Sequence, residues 1–262
     1  MLLLALVMST SAQAQTADTL TKKRPLFTAG DAALVAGFTA AAAAAAPVDR
    51  YFTQQLLDPA RQANRVFNRG ATVFRLIGQP GGLITGSGLY LFGLARGNRR
   101  IEDLGLHTVE SVMLASAVTG TIKVVAGRAR PRKNPDNAAD FQLMRGLKGD
   151  DYQSFPSGHA TAAFAFAALM SAETSHWWPE TRWTLGPILY GSAALTGVSR
   201  IYNDAHWASD VLTGAAIGTL TGLKVFRYQH SHPNNRLDKF FLRAGVQLSN
   251  NGTMGLILSP VP

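Results

Sequence analysis

Residues 156–172 read PSGHATAAFAFAALMSA. Pro156 and Gly158 interrupt whatever precedes them, and Ser157 is a residue type that caps an incoming helix. Ala160 to Ala172 carries no charge, is dominated by alanine and lacks strict alternation, so it reads as a helix rather than a strand. Charge-free segments of the same kind lie at 32–48, 76–95, 111–122, 183–199 and 211–223. The expected fold is therefore all-α, a helical bundle of about six core helices. A membrane-spanning helix needs about 20 largely apolar residues. Segment 76–95 clearly reaches that length. Segments 111–122, 160–172 and 211–223 fall short unless their helices continue past charged residues such as Glu110, Lys123 or Lys224.

Outside these segments the chain changes character. Residues 49–75 mix polar and apolar types and suit an amphipathic helix with its connections. Residues 132–155 form a polar stretch whose length between helices points to a functional loop, able to cover a site. Leu242 to Leu248 alternates in part, Asn250-Asn251-Gly252 is a turn signal, and Met254 to Leu258 is apolar again. This predicts a short C-terminal β-hairpin. At the other end, Leu2 to Met8 and Ala12-Gln13-Ala14 resemble the apolar run and small-residue cleavage pattern of an export signal. The expected organisation is a signal over 1–14, cleaved or retained, a helical domain over 25–230 and a tail over 231–262.

The chain has 262 residues, a formal charge of +9 and only 16% charged residues, against about 25% in ordinary soluble domains. Its basic residues flank apolar segments or gather in short motifs. They form no long stripe with interleaved aromatics, which excludes nucleic acid as the partner. The absence of cysteine excludes disulfides and thiolate metal sites. Arg96, Arg99 and Arg100 follow one apolar segment, and Lys224 and Arg227 follow another. The positive-inside tendency places these on the cytoplasmic side and the opposite helix ends outside. A cleaved signal, with Lys22, Lys23 and Arg24 starting outside, conflicts with that count for six crossings. The reading taken is a bundle integral to or associated with the envelope membrane, its site facing the periplasm, with a soluble periplasmic protein as the alternative.

Three stretches collect the reactive groups: Lys123 with Arg130-Pro131; Ser157-Gly158-His159; and Ser199-Arg200 followed by His206 and Asp210. Three fixed cations suit an anionic oxygen cluster, arginine through paired planar donors and lysine as a compact charge. A helix starting after Ser157 offers free backbone N–H groups to a phosphate oxygen. His159 lies where it can protonate a leaving oxygen. With Asp204 as N-cap, a helix from near Ala205 would place His206 and Asp210 on one face, the carboxylate supporting a nucleophilic imidazole. Taken singly, each feature has a plainer reading. A polar pair on a helix surface, a capped turn, or a cation at a helix C-terminus would account for it.

Taken together, Lys123 with six residues before Arg130-Pro131, then Pro156-Ser157-Gly158-His159, then Ser199-Arg200, His206 and Asp210, resemble the three-part signature of the type-2 phosphatidic acid phosphatase superfamily. The resemblance spans about residues 105–225. It implies that His206 attacks phosphorus to form a phosphohistidine, Asp210 orients it, and His159 protonates the leaving group and then activates water. It also implies that Lys123, Arg130, Ser157, the Gly158 N–H and Arg200 hold the phosphate oxygens. No metal or other cofactor is expected. The expected enzyme is a phosphatase acting on the phosphomonoester or diphosphate of a lipid. The alternatives are a soluble non-specific acid phosphatase, a vanadium haloperoxidase and a non-enzymatic membrane bundle. A metal held by His159, His206 and Asp210 is disfavoured, because three converging cations repel a divalent ion.

Overall fold

A computed structural model describes residues 25–56, 59–232, 235–248 and 254–258. The expected export segment lies outside them. The helices are α1 (Ala29–Ala45), α2 (Asp49–Leu56), α3 (Pro59–Gln62), α4 (Arg65–Leu76), α5 (Gly82–Arg96), α6 (Arg99–Ala126), α7 (Gly158–Trp177), α8 (Arg182–Tyr202), α9 (Ala208–Ser231) and α10 (Arg236–Arg243). Helices α6 to α9 contain four of the six apolar segments. Segment 32–48 runs past the end of α1, and segment 76–95, expected as one long helix, is broken at Gln79, whose φ −151 and ψ 125 are not helical, so that α5 begins only at Gly82. Two strands, β1 (Ala244–Leu248) and β2 (Met254–Leu258), run antiparallel with Ala244 opposite Leu258. The Asn250–Gly252 turn signal lies outside the described residues.

Local chemistry accounts for the helix ends. Thr28 caps α1 and shares reciprocal bonds with Asp31, whose Oδ2 accepts from the Thr28 N–H at 2.7 Å. Asn98 caps α6, and Gly127 closes it at φ +56, where a left-handed residue is needed and glycine has no Cβ penalty. The helices also run past the charges that limited the apolar segments. Segment 111–122 lies inside a helix extending back to Arg99, because Glu110 is buried and bonded to Gln229 of α9. Segment 211–223 lies inside α9, because Lys224 and Arg227 both reach Asp31 of α1, Arg227 at 2.6 Å. Buried or half-buried charges are tolerated inside these helices because each has a partner on another helix.

α7 is the hub, packed against α6, α8 and α9. Its contact with α9 is unusually close. A Cβ added at Gly214, Gly218 or Gly222 would lie 2.5, 2.2 or 2.7 Å from the carbonyl oxygens of Ser157, Thr161 and Ala165. Glycine at every fourth position therefore lets backbone meet backbone. This seam sets the start of α7, bearing Ser157, Gly158 and His159, directly against the start of α9. The polar stretch between α6 and α7 is pinned beneath it. Arg145 donates to the carbonyls of Gly127 and Asp140 at 3.0 and 2.7 Å.

Candidate active site

The seam, the C-terminal end of α6 and the C-terminal end of α8 bring the three motifs to one end of the bundle. There a cavity of about 290 Å³ is lined by Lys123, Arg130, Gly158, His159, Arg200 and His206, among others. Six of the eight expected residues thus share one space. Ser157 and Asp210 do not line it. Ser157 is fully buried and its Oγ caps α7 by accepting from the Ala160 N–H at 3.4 Å. Asp210 lies behind the imidazole.

The start of α9 differs from the sequence expectation. Asp204 is no N-cap: it sits at φ +54 in the turn after α8, and α9 begins at Ala208. The Asp210 carboxylate caps the helix itself, accepting from the Trp207 N–H at 2.9 Å. His206 therefore stands in the turn, before the helix face on which Asp210 lies. Its Nδ1 is 2.7 Å from the Ser154 carbonyl oxygen and 3.7 Å from Asp210 Oδ2. A carbonyl accepts only, so Nδ1 carries the hydrogen and Nε2 keeps its lone pair. That Nε2 lies 3.3 Å from Arg130 Nη1 at the cavity wall. Burial pushes the His206 pKa down to about 3; Lys123 and Arg130 act the same way, while Asp210 opposes. A neutral imidazole with an outward lone pair is the protonation state a nucleophile requires.

Asp210 is the centre of a network that the motifs did not reveal. Its carboxylate also accepts from Ser154 Oγ and from Arg128 Nη1, both at 2.5 Å. Arg128 reaches the other way to Asp49 of α2, Nη2 to Oδ2 at 2.9 Å, and Asp49 accepts from the Ser209 N–H at 2.9 Å. All three charged groups are buried. The one available signal was the Gly127-Arg128-Ala129-Arg130-Pro131-Arg132 run, in which arginines recur at every second residue.

The cavity wall is strongly cationic. Arg132 adds a fourth cation, and Asp150 faces it, bonded to Arg130 at 2.6 Å and to Arg132 at 2.7 Å. The 132–155 stretch is thus part of the wall. Lys123 Nζ donates to the Gln153 carbonyl. Arg200 differs from its neighbours: its Nε and Nη1 are buried and find no acceptor among the described residues. Buried guanidinium donors are normally satisfied, and these belong to a residue lining the cavity that His159 and His206 also line.

Residues 104–233 match the family model described as the PAP2 superfamily, and the chain belongs to that superfamily. The matched segment holds all eight expected residues; the terminal strands lie beyond it. The chain is similar to a lipid A 1-phosphatase of Porphyromonas gingivalis, 46% identical over 28% of this chain and 16% of that protein. It is also similar to lipid phosphate phosphatase 1 of Arabidopsis thaliana, 30% identical over 47% of this chain and 43% of the relative. An undecaprenyl-diphosphatase of Sulfolobus acidocaldarius is 26% identical over 54% and 63% respectively. The chain spans less than two thirds of the length of each. Among solved structures, the first transmembrane PAP2-type phosphatidylglycerolphosphate phosphatase from Bacillus subtilis has a similar fold. Its TM-score is 0.51 at 21% identity, covering 74% of this chain and 93% of that one.

Proposed function

We propose that this chain is a phosphatase that removes phosphate from a lipid phosphate or diphosphate without a catalytic metal, through a phosphohistidine on His206. The observation that carries the reading is the pair of buried Arg200 donors with no acceptor among the described residues, on a cavity wall shared with Lys123, Arg130 and the two histidines. Such an arrangement suits a phosphoryl group, whose equatorial oxygens gain charge as the bond to the leaving group loosens. His206 Nε2 attacks phosphorus, and the Ser154 carbonyl and Asp210 support the developing positive charge. Burial and the nearby Arg200 lower the His159 pKa to about 4. His159 therefore takes up a proton as the bound phosphate anion neutralises the surrounding cations, gives it to the departing oxygen and then takes one from the water that hydrolyses the intermediate. The fixed cations neutralise the phosphate and would repel a divalent ion.

A lipid substrate is supported by the surroundings. An apolar groove of about 510 Å³, lined by Leu56, Val66, Phe67, Phe74, Leu195 and Val198, reaches Ser199, the neighbour of Arg200. Two helical stretches, Ala29–Leu56 and Arg99–Ala126, are long and apolar enough to cross a membrane. Large apolar side chains face outward, including Ile84 at 65%, Leu91 at 61% and Ile188 at 61% exposed. An apolar surface of that kind suits lipid rather than water. We place Arg96, Arg99 and Arg100, at the end opposite the cavity, on the cytoplasmic side, and the cavity on the periplasmic side.

The test is phosphate release and trapping by quenching in alkaline denaturant, in which a phosphohistidine survives. Wild type given a labelled lipid phosphate should carry acid-labile label, and His206→Ala should release no phosphate. Full activity in that variant would remove the mechanism. A preference for small water-soluble phosphomonoesters over lipid phosphates would instead favour the acid phosphatase reading.

A further inference from the structure

A second polar cluster lies at the opposite end of α7, where the phosphatase chemistry has no use for it. His107 of α6, Glu173 of α7 and His230 of α9 meet there. His107 Nδ1 is 2.6 Å from Glu173 Oε1, and His230 Nε2 is 3.0 Å from Glu173 Oε2. One donor atom from each of the three lies within 4.8 Å of the others, and His107 belongs to a second such set with Glu110 and Asp238. From His159 to Glu173 the helix rises about 21 Å, so the cluster is remote from the cavity.

Its charges do not balance. Three carboxyl groups face two imidazoles, and Glu110 and Glu173 are fully buried. Gln229 donates to Glu110 Oε2, and Asn235 donates to Asp238 Oδ2 at 3.0 Å. The remaining oxygens, Glu110 Oε1 and Asp238 Oδ1, are buried with no donor among the described residues. Two carboxyl groups that approach each other without a donor between them hold either a shared proton or a cation. The amides of Gln229 and Asn235 already orient the outer oxygens, as supporting groups around a metal do. The rings of His176 and Phe226 lie 4.4 and 4.6 Å from the His230 ring and form an aromatic wall.

We propose that His107, Glu173 and His230 bind one divalent first-row transition-metal ion, with Glu110 and Asp238, a separate set that shares only His107, adjoining it. Two imidazoles with carboxylates suit zinc, manganese, iron or cobalt, whereas calcium and magnesium prefer oxygen alone. Around a tetrahedral ion, neighbouring donor atoms stand about 3.4 Å apart, so the two His–Glu173 contacts open by less than about 1 Å on loading. The ion joins α6, α7 and α9. Its role is to hold the bundle end, separate from phosphate release.

The experiment uses the full chain in detergent, stripped with chelator and titrated with Co²⁺ and then Zn²⁺. The expected result is one ion per chain, visible d–d bands from Co²⁺ bound by nitrogen and oxygen, and displacement by Zn²⁺. At a hundredfold excess over Kd, Tm should rise by roughly 5 °C or more. Glu173→Gln and the partly exposed His230→Gln should both lose the bands and the Tm rise. His230→Gln supplies the decisive comparison if the first variant fails to fold. No stoichiometric binding to wild type, or unchanged binding in His230→Gln, overturns the site and leaves a proton-bridged hydrogen-bond cluster. Phosphate release should be the same with and without the ion. A chain that binds metal but hydrolyses nothing would refute the proposed function and leave this site standing.

Discussion

His206 donates its Nδ1 hydrogen to the carbonyl of Ser154 at 2.7 Å, while the Asp210 carboxylate stands 3.7 Å away. A backbone oxygen therefore sets the tautomer. Asp210 acts at one remove, holding Ser154 through its hydroxyl at 2.5 Å and the turn through the Trp207 N–H at 2.9 Å.

Asp210→Asn is expected to lower kcat by about 10- to 100-fold. Where a carboxylate alone holds the imidazole tautomer, the same change costs on the order of 10⁴-fold. Steady-state rates on samples of matched folded fraction would decide. A loss as large as that of His206→Ala would mean that the carbonyl does not hold the ring.

Arg128 never touches the cavity, yet Arg128→Ala should cost about 3–5 kcal/mol of stability, because it leaves Asp49 and Asp210 buried without their shared partner. Arg128→Lys should recover only part of this, since one ammonium cannot reproduce a fork donating to both carboxylates. Thermal unfolding of the three proteins in one detergent gives the ranking; a lysine variant equal to wild type would contradict it.

The folded pKa of His206, about 3, is below the ordinary unfolded value of 6.5. The unfolded chain therefore binds the proton first on acidification. This group's contribution is intact above pH 6.5 and is lost as pH falls from there towards about 3, at about 1.4 kcal/mol per pH unit. Tm measured from pH 7.5 to 4.5 should fall less steeply in His206→Gln than in wild type. Parallel curves would mean that the imidazole is already charged in the fold.

Asp204 combines a left-handed backbone with a partly buried carboxyl whose Oδ1 has no donor among the described residues. Burial raises its pKa to about 6, with Arg132 opposing. Asp204→Asn keeps a residue type tolerant of that backbone and removes the charge. Discounted for solvent, the gain at pH 7.5 should be about 1 kcal/mol. The gain should shrink below pH 6, where the aspartic acid becomes neutral in the fold. Denaturant titration at both pH values checks the sign.

Gly218→Ala puts a Cβ 2.2 Å from the Thr161 carbonyl oxygen. α7 and α9 must separate, at an expected cost of about 1–3 kcal/mol, and kcat should fall because His159 and His206 separate with them. Gly120→Ala, which meets nothing within 4 Å, is the control.

The sequence showed the parts that face the cavity and hid those behind them. Charge-free limits located six helices but cut some short, since a buried Glu110 or a paired Lys224 looks like a helix end until its partner is known, and carried 76–95 across a break at Gln79 that no charge marks. Motif spacing gathered Lys123, Arg130, Gly158, His159, Arg200 and His206 at one cavity. It gave no hint of Asp49 or Ser154, whose partners Ser209 and Asp210 lie 160 and 56 residues away along the chain. Asp204 misled because a residue type that favours N-caps also tolerates the left-handed turn.

Where two main chains touch, neither can be thickened nor slid without breaking register. The distance between the two imidazoles is thus inherited from the scaffold. Altering the outer helices and the apolar groove would let such a machine accept a new cargo while its chemistry stayed untouched.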